Sequence, residues 1–363
     1  MIFVQSINLY TFSEVPELRF VQAFTKKTPI YALTSQANMS FTPDQHDCYA
    51  ATDPRINRDL ATGLSGKNVV IVGAGSGIGR ASAEFIAHAG AKSLACLGLE
   101  LEDVEETARI CRAIDNQCHI VARAVDNKNF EQVQDQVNRL EKDFDGVDVL
   151  FMNAGRPPQW LVTAESDADV WWDTVAVSLQ GSFNFARAVL PSMQQKRAGR
   201  IIFTASSAVH MKNLMSSYVV AKLGQVKLAE IIHAENFKAF GIRCFAIDPG
   251  CVKTRFFTDF EDEVLGNKRR EGSYTNKGGP LEQKSARNVY TTLKDMNFDT
   301  PYLAAGLFTF LAAGKMDSLS GRLFNANVDV QSYLDREEEI LRDDLCRSKM
   351  NYGQGVSLPR LDY

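Results

Sequence analysis

The sequence predicts an α/β fold: a doubly wound parallel sheet with helices on both faces, in a single domain with N- and C-terminal extensions. Two observations predict it. From Lys67 onward, short apolar runs alternate with longer helical patterns, the pattern of parallel strands joined by helical crossovers. The first apolar run leads directly into a glycine-rich turn that opens a helix. Sheets of this kind bind ligands at such turns.

Residues 1–62 carry scattered Pro, Thr, Asn and Asp without clear periodicity. They read as an N-terminal extension that packs on a core made elsewhere or is partly disordered. The domain proper is expected over 63–330. Its first strand is Asn68–Val72, followed by a helix over Arg80–His88. Strand Ser93–Leu97 and a helix from Glu102 to about Asn116 come next. Strand His119–Val125 precedes a helix from Asn129 to about Phe144, and strand Val147–Met152 follows. A helix over about 169–195, a strand at 200–205, a helix over about 216–240 and strand Ile242–Ile247 continue the alternation. Residues 255–300 are polar, charged and poor in apolar period, and read as a substrate lid or insertion. Helix Tyr302–Ala313 and strand Arg322–Asn325 close the pattern. Residues 331–363 form a charged tail, helical from Leu334 to Leu345.

Composition narrows the function classes. The 363 residues are 45% hydrophobic and 23% charged, ordinary for a globular enzyme. A net charge of −4 offers no basic footprint for nucleic acid or an anionic membrane. No apolar run reaches the roughly 18 residues that a membrane span needs. Met1–Ser6 lacks a basic flank, so no secretory signal is read there. The seven cysteines form no Cys-x-x-Cys pair and are odd in number, and the five histidines are scattered. That usage fits reduced thiols in a cytoplasmic protein and gives no metal site.

The turn reads Gly73-Ala-Gly-Ser-Gly-Ile-Gly79. Its glycines let the backbone approach a pyrophosphate and present N–H groups at a helix N-terminus. The spacing differs from Gly-x-Gly-x-x-Gly, because Ile78 stands where the third glycine would be. Its place after the first strand is the context that makes it a dinucleotide turn.

Further on, Tyr218 and Lys222 are four residues apart on a predicted helix and therefore share a face. An ammonium there can lower the phenol's pKa, so that Tyr218 exchanges protons near neutral pH. Ser206 and Ser207, one loop upstream, can hold a carbonyl or alcohol oxygen. Tyr290 and Lys294 repeat the spacing, but only Tyr218 follows a buried-strand pattern. By itself, Tyr218 could equally be a surface aromatic beside a solvated lysine.

Taken together, Gly73–Gly79, Asn153-Ala154-Gly155, Ser206-Ser207, Tyr218-x-x-x-Lys222 and Pro249-Gly250-Cys-Val-Lys-Thr254 resemble the short-chain dehydrogenase/reductase family over about residues 64–330. The segment Ser320–Asp329 and the long tail resemble filamentous-fungal members. The resemblance implies a Rossmann-like fold and an NAD(P)-dependent oxidoreductase acting on a ketone or secondary alcohol, with a role in fungal secondary metabolism. It implies a pyrophosphate site at Gly73, Ser76, Gly77, Ile78 and Gly79, with Asp126 near adenine. Asn153, Ala154 and Gly155 would lie beside the adenosine ribose, with Arg187 as a further cofactor contact. Pro249, Gly250, Val252 and Thr254 would line the nicotinamide side. Tyr218 would be the acid or base, and Lys222 would bind the nicotinamide ribose. Ser207 is the serine expected to act, with Ser206 as the alternative. The helices over 169–195 and 216–240 are where this family forms dimers, so the resemblance implies a homodimer or homotetramer.

Cofactor choice turns on the end of the second strand. Leu97-Gly98-Leu99-Glu100 gives neither clear signal. NADP is preferred over NAD on resemblance, with Arg80 and Lys92 as phosphate partners. Phe256, Phe257 and Phe260 suggest an apolar substrate wall, with Trp160, His210 and Met211 as further candidates, and Lys268–Arg270 reads as a solvated charge run. Two departures stand out: Val72 replaces the family's threonine, and Ser178 replaces a helix asparagine that supports a water in the proton relay. Ser178 and the short serine–tyrosine loop leave two other readings open. One is a cofactor-binding regulatory protein; the other is a dehydratase or isomerase without net redox.

Overall fold

A computed structural model describes residues 41–211, 214–265, 290–291 and 293–349. Its centre is a seven-stranded sheet in the order β3-β2-β1-β4-β5-β6-β7. The strands are β1 Asn68–Val72, β2 Ser93–Gly98, β3 His119–Ala124, β4 Val149–Met152, β5 Gly199–Thr204, β6 Ile242–Asp248 and β7 Leu323–Asn325. Every neighbouring pair is parallel. The strand order reverses between β1 and β4, so the loops leaving these two strands diverge and open a crevice at their C-terminal ends.

The continuous apolar runs follow from this architecture. All five β1 residues and all four β4 residues are buried, because helices cover both faces of the sheet. Side chains alternate between the two faces along each strand. Val69, Ile71 and Phe151 join one core beneath helices Gly77–His88, Leu101–Ile114 and Pro301–Ala312. There Phe151 stacks on Phe308 at 3.8 Å between ring centroids. Val70, Val72 and Met152 join the opposite core, beneath helices Phe130–Phe144, Gly181–Lys196 and Ser216–Phe240. Burying each such side chain contributes about 1.5–3 kcal/mol.

The described part of the N-terminal segment packs on this core. Pro43 bridges Val328, Phe41 lies 4.7 Å from the Tyr333 ring, and the Tyr49 hydroxyl accepts from Val330 N at 2.7 Å. Residues 1–40 lie outside the described residues, as does Lys268–Arg270.

The elements depart from expectation in three places. The helix expected over about 169–195 is interrupted by a π turn at Ala176–Gln180, between helices Ala168–Val175 and Gly181–Lys196. A helix, Arg255–Leu265, forms where only a polar segment was expected. The tail makes two short helices, Val330–Leu334 and Glu337–Arg342, in place of one.

Candidate active site

The C-terminal ends of β1 and β4–β6 surround one cleft of about 1560 Å³. It gathers Gly73, Ser76, Gly77, Ile78, Asp126, Asn153–Gly155, Ser206, Ser207, Tyr218, Lys222, Pro249, Gly250, Val252 and Thr254, while Gly79 and Arg187 lie outside it. Gly79 lies one helical step behind the turn, where a Cβ would collide with the Gly73 carbonyl oxygen. Arg187 is a correction. It is exposed on helix Gly181–Lys196, with its guanidinium 4.4 Å above the Phe130 ring.

The glycine turn forms one end of the cleft. Gly73 has φ +88°, and a Cβ there would sit 2.6 Å from Ala154 N. Gly77 has φ +52° and packs under the Thr254 methyl group, 2.8 Å from where a Cβ would stand. Both positions exclude side chains by conformation and by space. Asn153 Nδ2 donates to the Gly73 carbonyl at 3.1 Å, and Thr204 Oγ1 donates to Asn153 Oδ1 at 3.2 Å. These bonds tie β1, β4 and β5 together at the turn. Ser76 and Ile78 line the cleft beside the start of helix Gly77–His88. Backbone N–H groups at such a start suit an anion. Strand, turn and helix together fit a dinucleotide's pyrophosphate.

Leu99, Glu100, Glu102 and Asp103 line the region beyond β2, where Leu99 is 57% exposed. The two cations expected to meet a phosphate are elsewhere. Arg80 Nη2 donates to Gly75 O at 2.6 Å and its Nε to Thr107 Oγ1 at 3.0 Å, folding it into the protein behind the turn. Lys92 precedes β2 and is exposed at the opposite end of the sheet. Asp126 lines the cleft near Lys128, whose ammonium bonds Asp173 Oδ1 at 2.7 Å. Asp173 also pairs with Arg156.

At the other end, helix Ser216–Phe240 presents Tyr218 and Lys222 on one face. Lys222 Nζ lies 5.4 Å from the Tyr218 ring centroid and donates to Thr204 O at 2.5 Å. The lysine is only 2% exposed, and burial pushes its pKa down to about 7. Burial also pushes the Tyr218 phenol up, opposed by a hydrogen bond with Ser206. The phenol is thus raised, where a lowering by Lys222 was expected. Desolvation disfavours the charged form of both groups.

The two serines divide their partners. Ser206 follows β5 and reaches the Tyr218 hydroxyl, while also accepting from Ala208 N at 3.1 Å. Ser207 turns the other way. Its N–H and its hydroxyl donate to buried Asp248. Asp248 also accepts from Asn325 Nδ2 at 2.6 Å, and its burial raises its pKa. The geometry thus brings Ser206, not the expected Ser207, to the tyrosine. Both serines line the cleft, but Ser207 spends its hydroxyl on Asp248 and Ser206 meets the tyrosine.

Pro249, Gly250, Val252 and Thr254 line the cleft along the loop that leaves β6. Asp299 anchors this loop by accepting from Cys251 N at 2.7 Å and by a Val252 bridge. His46 Nδ1 meets the other Asp299 oxygen at 2.6 Å. His46 lines the cleft from the N-terminal segment and was not singled out in the sequence, because its partner stands 253 residues away. Of the proposed substrate contacts, Trp160, Met211, Phe256 and Phe257 line the cleft and Phe260 packs behind them. His210 is exposed and lies outside the cleft. Tyr290 packs on this same aromatic group, while Lys294 lies 3.9 Å from Asp295.

A parallel sheet with a glycine turn at its crevice, facing a Ser–Tyr–Lys group, defines a Rossmann-fold oxidoreductase. The model of the family described as short chain dehydrogenase matches residues 67–264, and the chain belongs to that family. Among its relatives is the short chain dehydrogenase citE of Monascus ruber, 31% identical over 290 residues, covering 78% of this chain and 89% of the relative. D-beta-hydroxybutyrate dehydrogenase of Cupriavidus necator is 29% identical over 264 residues, covering 72% of this chain and 96% of the relative. The crystal structure of levodione reductase shares the fold, with a TM-score of 0.61 at 24% identity, over 74% of this chain and 98% of that one. NAD+-bound xylitol dehydrogenase shares it too, with a TM-score of 0.58 at 23% identity, over 72% and 98%. No described helix is long and apolar enough to cross a membrane.

Proposed function

We propose that this protein moves a hydride between a nicotinamide cofactor and a ketone or secondary alcohol. The observation that carries the reading is the meeting of Ser206, Tyr218 and Lys222 in the same cleft as the glycine turn. In reduction, Tyr218 donates a proton to the carbonyl oxygen, and in oxidation it removes one. Ser206 holds that oxygen against the tyrosine. Lys222, fixed by Thr204 O, binds the nicotinamide ribose and adds positive charge beside the phenol. The dinucleotide supplies the hydride chemistry when bound. Trp160, Phe256 and Phe257 form an apolar wall that suits a substrate with a flat or hydrocarbon body.

Glu100 and Glu102 near the adenosine ribose position favour NAD over NADP, because a 2′-phosphate there would meet like charge. The fungal relatives support a place in secondary metabolism. Phe183 on helix Gly181–Lys196, and Val220, Leu223 and Ile231 on helix Ser216–Phe240, are exposed. They support a homodimer or homotetramer through these helices.

Titrating NADH and NADPH against wild type and Gly77→Trp, by nicotinamide fluorescence, tests the cofactor site. Saturable binding that the variant loses is expected, tighter for NADH. A ketone panel then tests the chemistry. Tyr218→Phe is expected to lower kcat by about 10²–10⁴, the range of general acid–base catalysis. Ser206→Ala should lower kcat by about 10²–10³, as for removal of a donor to a developing oxyanion. Ser207→Ala should instead act mainly on stability, through Asp248. Equal kcat losses for the two serine variants would sink the assignment of Ser206.

A further inference from the structure

We propose that Arg255, held in place by Asp103, is a clasp for the diphosphate of the cofactor. This rests on the dinucleotide reading above. The clasp is built from both walls of the cleft. On one wall, Asp103 sits in the first turn of helix Leu101–Ile114, only 8% exposed. Its Cβ lies 2.8 Å from where a Cβ on Gly75 would stand. On the other wall, Thr254 packs its methyl group over Gly77. Arg255 is the next residue, and it sends its guanidinium back across the turn. Nη1 lies 2.5 Å from Asp103 Oδ2, and Nη2 lies 2.9 Å from Asp103 Oδ1. The fork thus runs from the Gly77 side of the phosphate turn to its Gly75 side. Gly75, Gly77, Asp103, Thr254 and Arg255 all line the cleft.

Charge explains the arrangement. A lone carboxylate beside the start of helix Gly77–His88 would compete with, and repel, an anion bound there. Paired with a guanidinium, it instead becomes a mount for positive charge. The guanidinium is planar and carries donors on more than one edge, so it can hold a carboxylate and a phosphate oxygen together. The two-point fork fixes the arginine before ligand arrives, which reduces the ordering cost at binding. Arg80, the other arginine at the turn, has its guanidinium committed to Gly75 O and Thr107. In the clasp Arg255 is the residue that touches the diphosphate, and Asp103 is a positioning residue that acts through it.

Calorimetric titration of the full chain with NADH, ADP-ribose and adenosine tests the clasp. Arg255→Ala should weaken NADH and ADP-ribose about tenfold each, the size of one charge-assisted hydrogen bond. Adenosine, which lacks phosphate, should bind as it does to wild type. Arg255→Lys keeps the charge without the fork and should fall between the two. It also serves as the test variant if Arg255→Ala does not fold. A merely structural arginine would weaken all three ligands alike, or would act only through the carboxylate it leaves bare, so that Arg255→Ala combined with Asp103→Asn binds NADH and ADP-ribose as Asp103→Asn alone does; either result overturns the clasp. So does wild-type binding of NADH and ADP-ribose with Arg255→Ala or Arg255→Lys unchanged. Wild type that binds neither NADH nor ADP-ribose would overturn the dinucleotide reading, and the clasp with it.

Discussion

Lys222 places an ammonium in the site where water does not reach it. Its ammonium donates to the Thr204 carbonyl, and desolvation moves its pKa from 10.5 to about 7. The unfolded lysine keeps its ordinary value, so between pH 7 and 10.5 the unfolded chain binds more protons than the folded one. Stability must then rise with pH across that window on account of this group, and its cost is fully present below pH 7. Tyr218, whose pKa is raised by burial, alters stability only from about pH 10 upward, and it does so in wild type and variant alike. Lys222→Met removes the buried charge. Relative to wild type, the variant should melt higher at pH 6, and the gap should shrink by pH 10. Melting curves at the two pH values check it, and a gap independent of pH would show that the lysine is not desolvated. The lysine and tyrosine were legible in the sequence as a pair. Their burial was not, because it comes from β5 and the aromatic residues around Trp160.

The π turn at Ala176–Gln180 shows why elements are harder to read than residues. Its residues would continue an α-helix without strain, and nothing within the segment announces a break. Most of what supports the break lies far off in sequence. A π turn releases carbonyls from the regular ladder. Here Val177 O accepts from Asn127 Nδ2 at 2.8 Å, and Ser178 O accepts from Gln225 Nε2 at 3.1 Å and Ser182 Oγ at 2.7 Å. Ser178 Oγ itself is buried without a protein partner. Gly181 is required too, because a Cβ there would strike the Asn127 amide. Asn127→Ala should leave Val177 O unpaired and cost about 1–3 kcal/mol, measured by urea unfolding. An unchanged midpoint would mean that the π turn does not depend on this bond. Helix Arg255–Leu265 was missed for another reason. Phe256, Phe257 and Phe260 lie among charged residues, so the segment reads as polar, although Phe257 and Phe260 are 5% and 4% exposed. The strands, by contrast, were readable almost to the residue, since a sheet covered on both faces makes each central strand a continuous apolar run.

At the scale of the molecule, the chain's outer segments are part of the cleft and do not merely decorate it. Thr42, Pro43 and His46 line it, and the backbone around them is fixed to the sheet's β7 end. Gln45 N donates to Asn327 O at 2.9 Å, and Asn327 Nδ2 returns a bond to Gln45 O at 2.7 Å. Thr300 N donates to His46 O at 2.9 Å. Composition could mark this region only as aperiodic, because its order comes from partners that the fold brings together. His46 is where it touches the proposed chemistry. Asp299 is 6% exposed; one of its oxygens fixes Cys251 N and the other meets His46. Removing the imidazole leaves a buried carboxylate with one partner fewer, and the loop Pro249–Thr254 with a looser anchor. His46→Ala should therefore raise KM for the nicotinamide cofactor several-fold, by about 3–10-fold, the effect of weakening one charged hydrogen bond. The change in kcat should be smaller, since Ser206, Tyr218 and Lys222 stand on other elements. His46→Asn, which can still donate to Asp299, should recover part of the loss. Steady-state kinetics with NADH varied at saturating ketone separates the two constants. A fall in kcat with KM unchanged would place His46 in the chemistry and not in the support of the loop.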